Sequence, residues 1–130
     1  MTTLHNYLAR IEATIRSRGD IVPQGLSIEA ESSLIGHIVD RLIFHDGSFL
    51  AVEEVVFAAD HKVEKLRYSY HYQKGDRLIF RYDNAPHHPE LPTFPHHKHV
   101  DDRVEPCQEP DLQDVLREID ARLYPQPAQS

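Results

Sequence analysis

The chain has 130 residues and a formal net charge of −7, a length that suits one hydrophobic core, so a single domain over residues 1–130 is predicted. One cysteine, Cys107, excludes an internal disulfide framework and is typical of a reducing compartment. No apolar run approaches the roughly 18 residues of a membrane span, and no basic segment followed by an apolar core opens the chain. We therefore expect a cytoplasmic protein without a membrane partner.

The charge is unevenly distributed. Between residues 61 and 100, Lys and Arg outnumber Asp and Glu by seven to four, and seven of the ten histidines lie in the same window. Phosphate binding needs clustered cations. The sequence therefore predicts one locally basic surface on an acidic body, where a polyanion could dock.

The N-terminal segment has the pattern of an amphipathic helix. Apolar residues recur at helical spacing from Thr3 to Arg18, and Gly19 is a natural stop. Residues 20–33 carry mixed signals, because Pro23 and Gly25 interrupt what could be a short strand.

Four strands are predicted next, over residues 34–45, 48–57, 63–73 and 77–83. The turns between them are Asp46-Gly47, Asp60-His61 and Lys74-Gly75-Asp76. Such short connections favour an antiparallel meander. Residues 100–109 are predicted to be a connector, and a second amphipathic helix follows Pro110. The predicted fold is α+β, an antiparallel sheet of four to five strands with a helix from each terminus packed on it.

Alternation along the third and fourth strands predicts which residues meet. Leu66 and the tyrosines at 68, 70 and 72 share one face, which we assign to the core, while Lys65 joins Arg67 and His71 on the other. The hairpin pairs His71 with residues 78–80 and Arg67 with residues 82–84, so one face can present Arg67, His71, Arg81 and Asp83 together. Of Glu53 and Glu54, one must face inwards and needs a partner such as Arg67 or Arg81.

Residues 81–99 form the most informative segment. Prolines recur at 86, 89, 92 and 95, the three-residue period of a polyproline II helix, and five histidines lie at 87, 88, 96, 97 and 99. A straight run at about 3.1 Å per residue would put His87 and His96 about 28 Å apart. Either the segment bends around the sheet or there are two sites.

Together with residues 68–73 and 78–80, this segment resembles the signature of the TumE-type toxins of prokaryotic toxin–antitoxin pairs. The resemblance extends from about Leu42 to the C-terminus. It implies a small cytoplasmic protein that arrests growth and is held in check by a partner antitoxin. It implies no catalytic mechanism, so the chemistry is argued from the residues.

The first hypothesis is a metal-independent ribonuclease without a cofactor. Attack by the RNA 2′-hydroxyl needs a base, an acid and cations on the phosphate, and histidine serves the first two roles near neutral pH. The candidate catalytic residues are His71, Asp83, His96, His97 and His99. The candidate substrate-binding residues are Arg67, Arg81 and Lys98 for phosphate, Tyr82 and Phe94 for base stacking, and Asn84, His87, His88 and Glu90 around them.

Two other hypotheses remain open. In one, His97 and His99 bind a divalent metal with His87, His88, Glu90 or Asp83, for hydrolysis or for structure. In the other, the sheet and the proline-rich segment form a protein-binding surface without catalysis. An exposed edge strand would allow a homodimer or pairing with an antitoxin strand. Cys107 lacks a local histidine or second cysteine and is predicted to be an inert thiol.

Overall fold

The computed structural model describes residues 2–127, which form two helices and eight strands. In chain order the elements are α1 (Thr3–Arg16), β1 (Val22–Pro23), β2 (Ser27–Ala30), β3 (Ile35–Ile43), β4 (Phe49–Ala59), β5 (Lys62–Lys74), β6 (Arg77–Asp83), β7 (His97–Val100), β8 (Arg103–Pro106) and α2 (Leu112–Leu123). No helix among these residues is long and apolar enough to cross a membrane. The α+β class is confirmed.

All strands belong to one antiparallel sheet in the order β1-β3-β4-β5-β6-β7-β8, with β2 also paired to β3. The prediction of four to five strands was wrong, because four strands of only two or four residues flank the predicted meander. The low apolar content of residues 97–106 does not indicate strands, so polyproline II geometry was predicted up to His99 and a connector over residues 100–109. The structure has β7 and β8 there instead. They form because β7 pairs with β6, and β8 then closes a hairpin on β7.

Both helices cover the same face of the sheet. Helix α1 begins after Thr2, whose side chain accepts from the His5 amide, and α2 begins with a capping box between Asp111 and Asp114. Their apolar stripes pack on the inward residues of β3 to β6, including Tyr68, Tyr70 and Tyr72, each at most 1 % exposed. The assignment of the tyrosines to the core is confirmed.

The predicted turns of the meander are also confirmed. Residues 44–48 connect β3 to β4, and Asp60 and His61 connect β4 to β5 with positive φ angles of 52° and 63°. Gly75, at φ 58°, lies in the turn between β5 and β6. These tight turns place consecutive strands side by side.

The side-chain alternation of β5 changes phase near Leu66. The register between β4 and β5 shifts between Val55 and Val56, opposite this point. Leu66 is therefore 48 % exposed, and Lys65 faces the core, where its Nζ donates to the Tyr70 hydroxyl at 2.7 Å. The predicted orientations of Leu66 and Lys65 were wrong. One irregular residue in a strand reverses the alternation, so side chains beyond it point to the opposite face of the sheet.

As predicted, one of the two adjacent glutamates on β4 faces inwards and the other faces outwards. The partner of the inward-facing glutamate differs from the predicted one. Glu54 is fully buried and accepts from the Tyr7 and Tyr70 hydroxyls, with Lys65 Nζ at 3.9 Å. Glu53 faces the other side and pairs with Arg67 at 3.0 Å. The predicted inner partner, Arg67 or Arg81, was wrong because Lys65 had turned inwards.

The face of the sheet opposite the helices, here called the open face, carries two parallel rows of side chains. The strand register fixes both rows across β3 to β7. The first row is Arg41, Ala51, His71, Arg81 and His99, and the second is Val39, Glu53, Ser69, Asp83 and His97. The predicted pairing of His71 was wrong by one residue, because the register of β5 and β6 shifts between Tyr72 and Gln73.

The proline-rich segment does not form a straight polyproline II helix. Backbone hydrogen bonds from Leu91 to His88, from Phe94 to Leu91 and from His96 to Thr93 close a series of tight turns, which polyproline II geometry lacks. The segment therefore folds back and brings His88 near β7. Of the two predicted alternatives, the bend is the one observed.

Candidate functional site

Asp83, the last residue of β6, lies at the centre of a polar cluster on the open face. Its carboxylate is 2.9 Å from His97 Nε2, 3.0 Å from Arg81 Nε and 3.6 Å from His99 Nε2. It also accepts from the Ala85 amide at 3.0 Å. Burying a carboxylate is costly unless it is paired, and these four groups offset that cost.

His97 is almost completely buried, at 1 % exposure, and its ring is fixed from both sides. Its Nδ1 lies 2.9 Å from the Pro95 carbonyl oxygen, while Nε2 faces Asp83. The turn at the end of the proline-rich segment thus orients the ring, and β7 places it opposite Asp83 through the strand pairing.

His88 and His99 complete what we call the histidine cluster, His88, His97 and His99. The ring centroids are 4.9 Å apart for His97 and His99 and 5.0 Å apart for His88 and His97. Burial lowers the pKa of His99 below its ordinary value, although the nearby Asp83 carboxylate opposes the shift. His88 and His99 are both about 30 % exposed at the side chain, so solvent can reach them.

The same three imidazoles also have the composition of a metal site. One ring nitrogen from each lies within 4.8 Å of the others. Tetrahedral zinc with Zn–N bonds of about 2.0–2.1 Å would need these nitrogens about 3.3 Å apart, so the rings would have to close slightly. The contact between His97 and the Pro95 carbonyl is the kind of support that orients histidine ligands.

His71 lies next to this cluster, on the far side of Arg81. Its Nδ1 is 3.2 Å from Arg81 Nη1, and its Nε2 is 2.7 Å from Gln73 Oε1. Sequence reasoning missed Gln73 as a partner, although a residue two positions along a strand shares the same face. His71 and His99 therefore flank Arg81 in the first row.

Three predicted site residues lie on the helix side instead. His96 stacks on Tyr68 and shares a hydrogen bond with its hydroxyl, at 2.9 Å. Tyr82 donates to Glu118 on α2, and Lys98 Nζ lies 2.8 Å from the same carboxylate. The structure does not bring these three side chains to the cluster. Adjacent side chains of a strand point to opposite faces of the sheet, so only one of two neighbours can face the site.

The remaining candidates lie around the cluster or away from it. Glu90 is 3.3 Å from His88 Nδ1. Arg67 pairs with Glu53, and the Asn84 side chain bonds the backbone of Tyr68 and Leu66, which ties the end of β6 to β5. His87 and Phe94 are exposed on the proline-rich segment.

Cys107 is half-buried outside this site. Burial raises the pKa of its thiol to about 11, so little of the reactive thiolate forms near neutral pH.

The fold and the cluster together define a small α+β protein with an open, histidine-rich sheet face beside a helix-covered core. Residues 10–123, most of the chain, match the family model described as Toxin TumE. The chain therefore belongs to the TumE toxin family, which indicates a toxin role and, for a toxin of this kind, an antitoxin partner. No curated protein and no solved structure matches the chain.

Proposed function

We propose that this protein is the toxin of a toxin–antitoxin pair and arrests growth in the cytoplasm by metal-independent RNA cleavage. The observation that supports this is the contact of one buried carboxylate, Asp83, with Arg81, His97 and His99 on an open face. Histidine can supply the acid and the base for transesterification of RNA, and arginine can stabilise the charge on the phosphate.

Arg81 holds the scissile phosphate, with His71 on one side of it and His99 on the other. Such flanking suits an in-line reaction, in which the attacking and leaving oxygens lie on opposite sides of phosphorus. Adjacent strands are about 4.8 Å apart. His71 and His99 lie two strands apart, at twice this spacing, so a phosphate fits between the two imidazoles.

His99 acts as the base. The Asp83 carboxylate lies 3.6 Å from Nε2, so a small movement lets it accept the Nε2 proton and leaves Nδ1 free to take the proton of the 2′-hydroxyl. The 2′-oxygen then forms its bond to phosphorus while the bond from phosphorus to the 5′-oxygen breaks. After Arg81 has turned to the phosphate, His71 takes a proton from solvent at Nδ1 and gives it to the leaving 5′-oxygen. The products are a 2′,3′-cyclic phosphate and a 5′-hydroxyl, and His97 positions Asp83 throughout.

Histidine variants test this proposal. We predict that His71→Ala, His97→Ala and His99→Gln each abolish growth arrest and slow RNA cleavage at least about 100-fold, the usual contribution of an acid or base. His99→Gln is the sharpest of the three, because His99 is far more exposed than His97 and its loss leaves a smaller hole.

The matched control is His5→Ala, on the exposed surface of α1. It should keep full toxicity. Circular dichroism and thermal unfolding check that each variant is folded. If folded His71→Ala and His99→Gln proteins remain as toxic as the wild type, the assignment is wrong.

A metal-dependent hydrolase is the second candidate, favoured by the closeness of the three ring nitrogens of His88, His97 and His99. In that case a bound ion would activate water. A chelator should then end the activity, and one divalent ion should restore it. The metal-independent proposal predicts full activity in chelator.

The partners proposed are RNA as substrate, the antitoxin, and a second copy of the chain through an exposed edge strand. The short strand β8 ends the sheet on the side of the cluster, and its outer edge has no strand partner within residues 2–127. Light scattering on the purified protein measures whether it is a homodimer.

A further inference from the structure

We propose that a cavity on the open face, next to Arg81, binds the unpaired nucleoside adjoining the scissile phosphate. This inference rests on the proposed RNA cleavage and adds a binding subsite to it. The cavity has a volume of about 400 Å³, within the range of small-molecule sites.

The lining of this nucleoside subsite combines small or apolar side chains with two cations. Val39, Ala51 and Ser69 line it, and no large side chain comes from these three positions. Arg41 lines one side, and His71 and Arg81 of the candidate site line the other. The subsite is thus continuous with the residues proposed to hold the phosphate.

The charge at the subsite suits an anionic ligand. Arg41 is exposed, and its guanidinium lies 3.8 Å from the centre of the Phe49 ring. Among residues 2–127, no carboxylate forms an ion pair with Arg41. Two acidic residues also line the subsite: Glu53 is paired with Arg67 at 3.0 Å and approached by His37 at 3.7 Å, and Asp40 is buried on the helix side of β3.

The chemistry points to single-stranded RNA in particular. Unpaired bases bind on flat aromatic or guanidinium surfaces, and Arg41 stacked on Phe49 provides such a surface beside the cavity. Arg41 and Arg81 lie on strands three positions apart in the sheet, which corresponds to about 14 Å. Cations at this spacing match phosphates about two nucleotides apart, with a base entering the cavity between them.

The test fills the cavity without replacing a proposed catalytic residue, although Ala51 is the cross-strand neighbour of His71. In Ala51→Leu a larger side chain occupies the subsite. Ala59→Leu is the matched control, since it makes the same change on the same strand and the same face, at the far end of β4. Arg41→Gln removes the free cation and serves as an independent second variant.

Two readouts are needed. One is the cleavage of a single-stranded oligoribonucleotide, for which Ala51→Leu and Arg41→Gln should raise KM by about tenfold with kcat nearly unchanged, since one base contact is lost. The other is binding of a mononucleotide such as adenosine 3′-monophosphate to the wild-type protein. It should shift the methyl NMR signals of Val39 and Ala51.

The outcomes separate this inference from the proposed function. If the wild type cleaves RNA and both variants match Ala59→Leu, the subsite is wrong while the cleavage proposal stands. If no RNA is cleaved but the mononucleotide shifts the Val39 and Ala51 signals, the subsite binds nucleotides and the cleavage proposal fails. Absence of both signals overturns the subsite.

Discussion

At the residue scale, Asp83 organises the candidate site because it is a buried acceptor among donors. Its neighbours Arg81, His97 and His99 come from two adjacent strands, and the pairing of β6 with β7 sets their backbone positions. His71 joins them through Arg81. An aspartate that ends a strand can therefore align histidines that lie far away in sequence.

A second buried carboxylate, Glu54, has a structural role instead. It joins α1 to the sheet through the Tyr7 hydroxyl and receives the Tyr70 hydroxyl at 2.5 Å. Burial and the Glu54 charge both raise the pKa of Tyr70, so the hydroxyl keeps its proton and remains a donor at all ordinary pH values.

Tyr70→Phe tests the contribution of this hydrogen bond. The variant should lower the free energy of unfolding by about 1.5–3 kcal/mol, as expected for a buried hydrogen bond to a charged group. Urea denaturation measures it. In Tyr124→Phe the same change removes an exposed hydroxyl that donates to Asp20, and we expect a loss below about 0.5 kcal/mol. Equal losses in the two variants would contradict this account.

At the scale of elements, the sequence predicted both helices and the four central strands, because their apolar periodicity is strong. The phase change at Leu66 could not be predicted, since nothing local indicates a register shift that depends on Val55 and Val56 of the neighbouring strand. Strand β7 was missed for a related reason. His97 and His99 are polar, and they enter the sheet through contacts with Asp83 rather than through hydrophobicity.

The candidate site was predicted in composition but only partly in geometry. His71, Arg81 and Asp83 share a face as alternation predicts, and His97 and His99 join them. The sequence alone does not show which residues of β7 and of the end of β6 face the helices. His96, Tyr82 and Lys98 could therefore not be assigned to a face of the sheet. No polar motif in the sequence indicates the proposed subsite at Val39 and Ala51. Its residues come from four strands and meet only through the register of those strands.

The turn between β4 and β5 offers a prediction at this scale. Asp60 and His61 both have positive φ angles, which Asn and Gly adopt at lower cost. The double variant Asp60→Asn, His61→Gly should raise the free energy of unfolding by about 1 kcal/mol and keep toxicity. Thermal unfolding measures the gain. Loss of growth arrest in this stabilised variant would contradict a purely structural role of Asp60 and His61.

At the scale of the whole molecule, the chain has a net charge of −7, and its open face combines Arg41 and Arg81 with the carboxylates of Glu53 and Asp83. Arg41, His71 and Arg81 lie along one row of that face, whereas the carboxylates of α2 occupy the other side of the sheet. The helices pack on the tyrosine-rich side of the sheet and leave the open face uncovered. The family's antitoxin can then act either by covering this face or by binding elsewhere.

The most direct measurement is an analysis of the RNA ends left by the purified toxin in excess chelator. The account predicts fragments with 2′,3′-cyclic phosphate and 5′-hydroxyl ends, and no cleavage of the matching 2′-deoxy oligonucleotide, since the 2′-oxygen is the nucleophile. The His99→Gln protein should give none of these fragments. Intact RNA in chelator, or cleavage of DNA and RNA alike with 5′-phosphate ends, would contradict histidine acid–base catalysis.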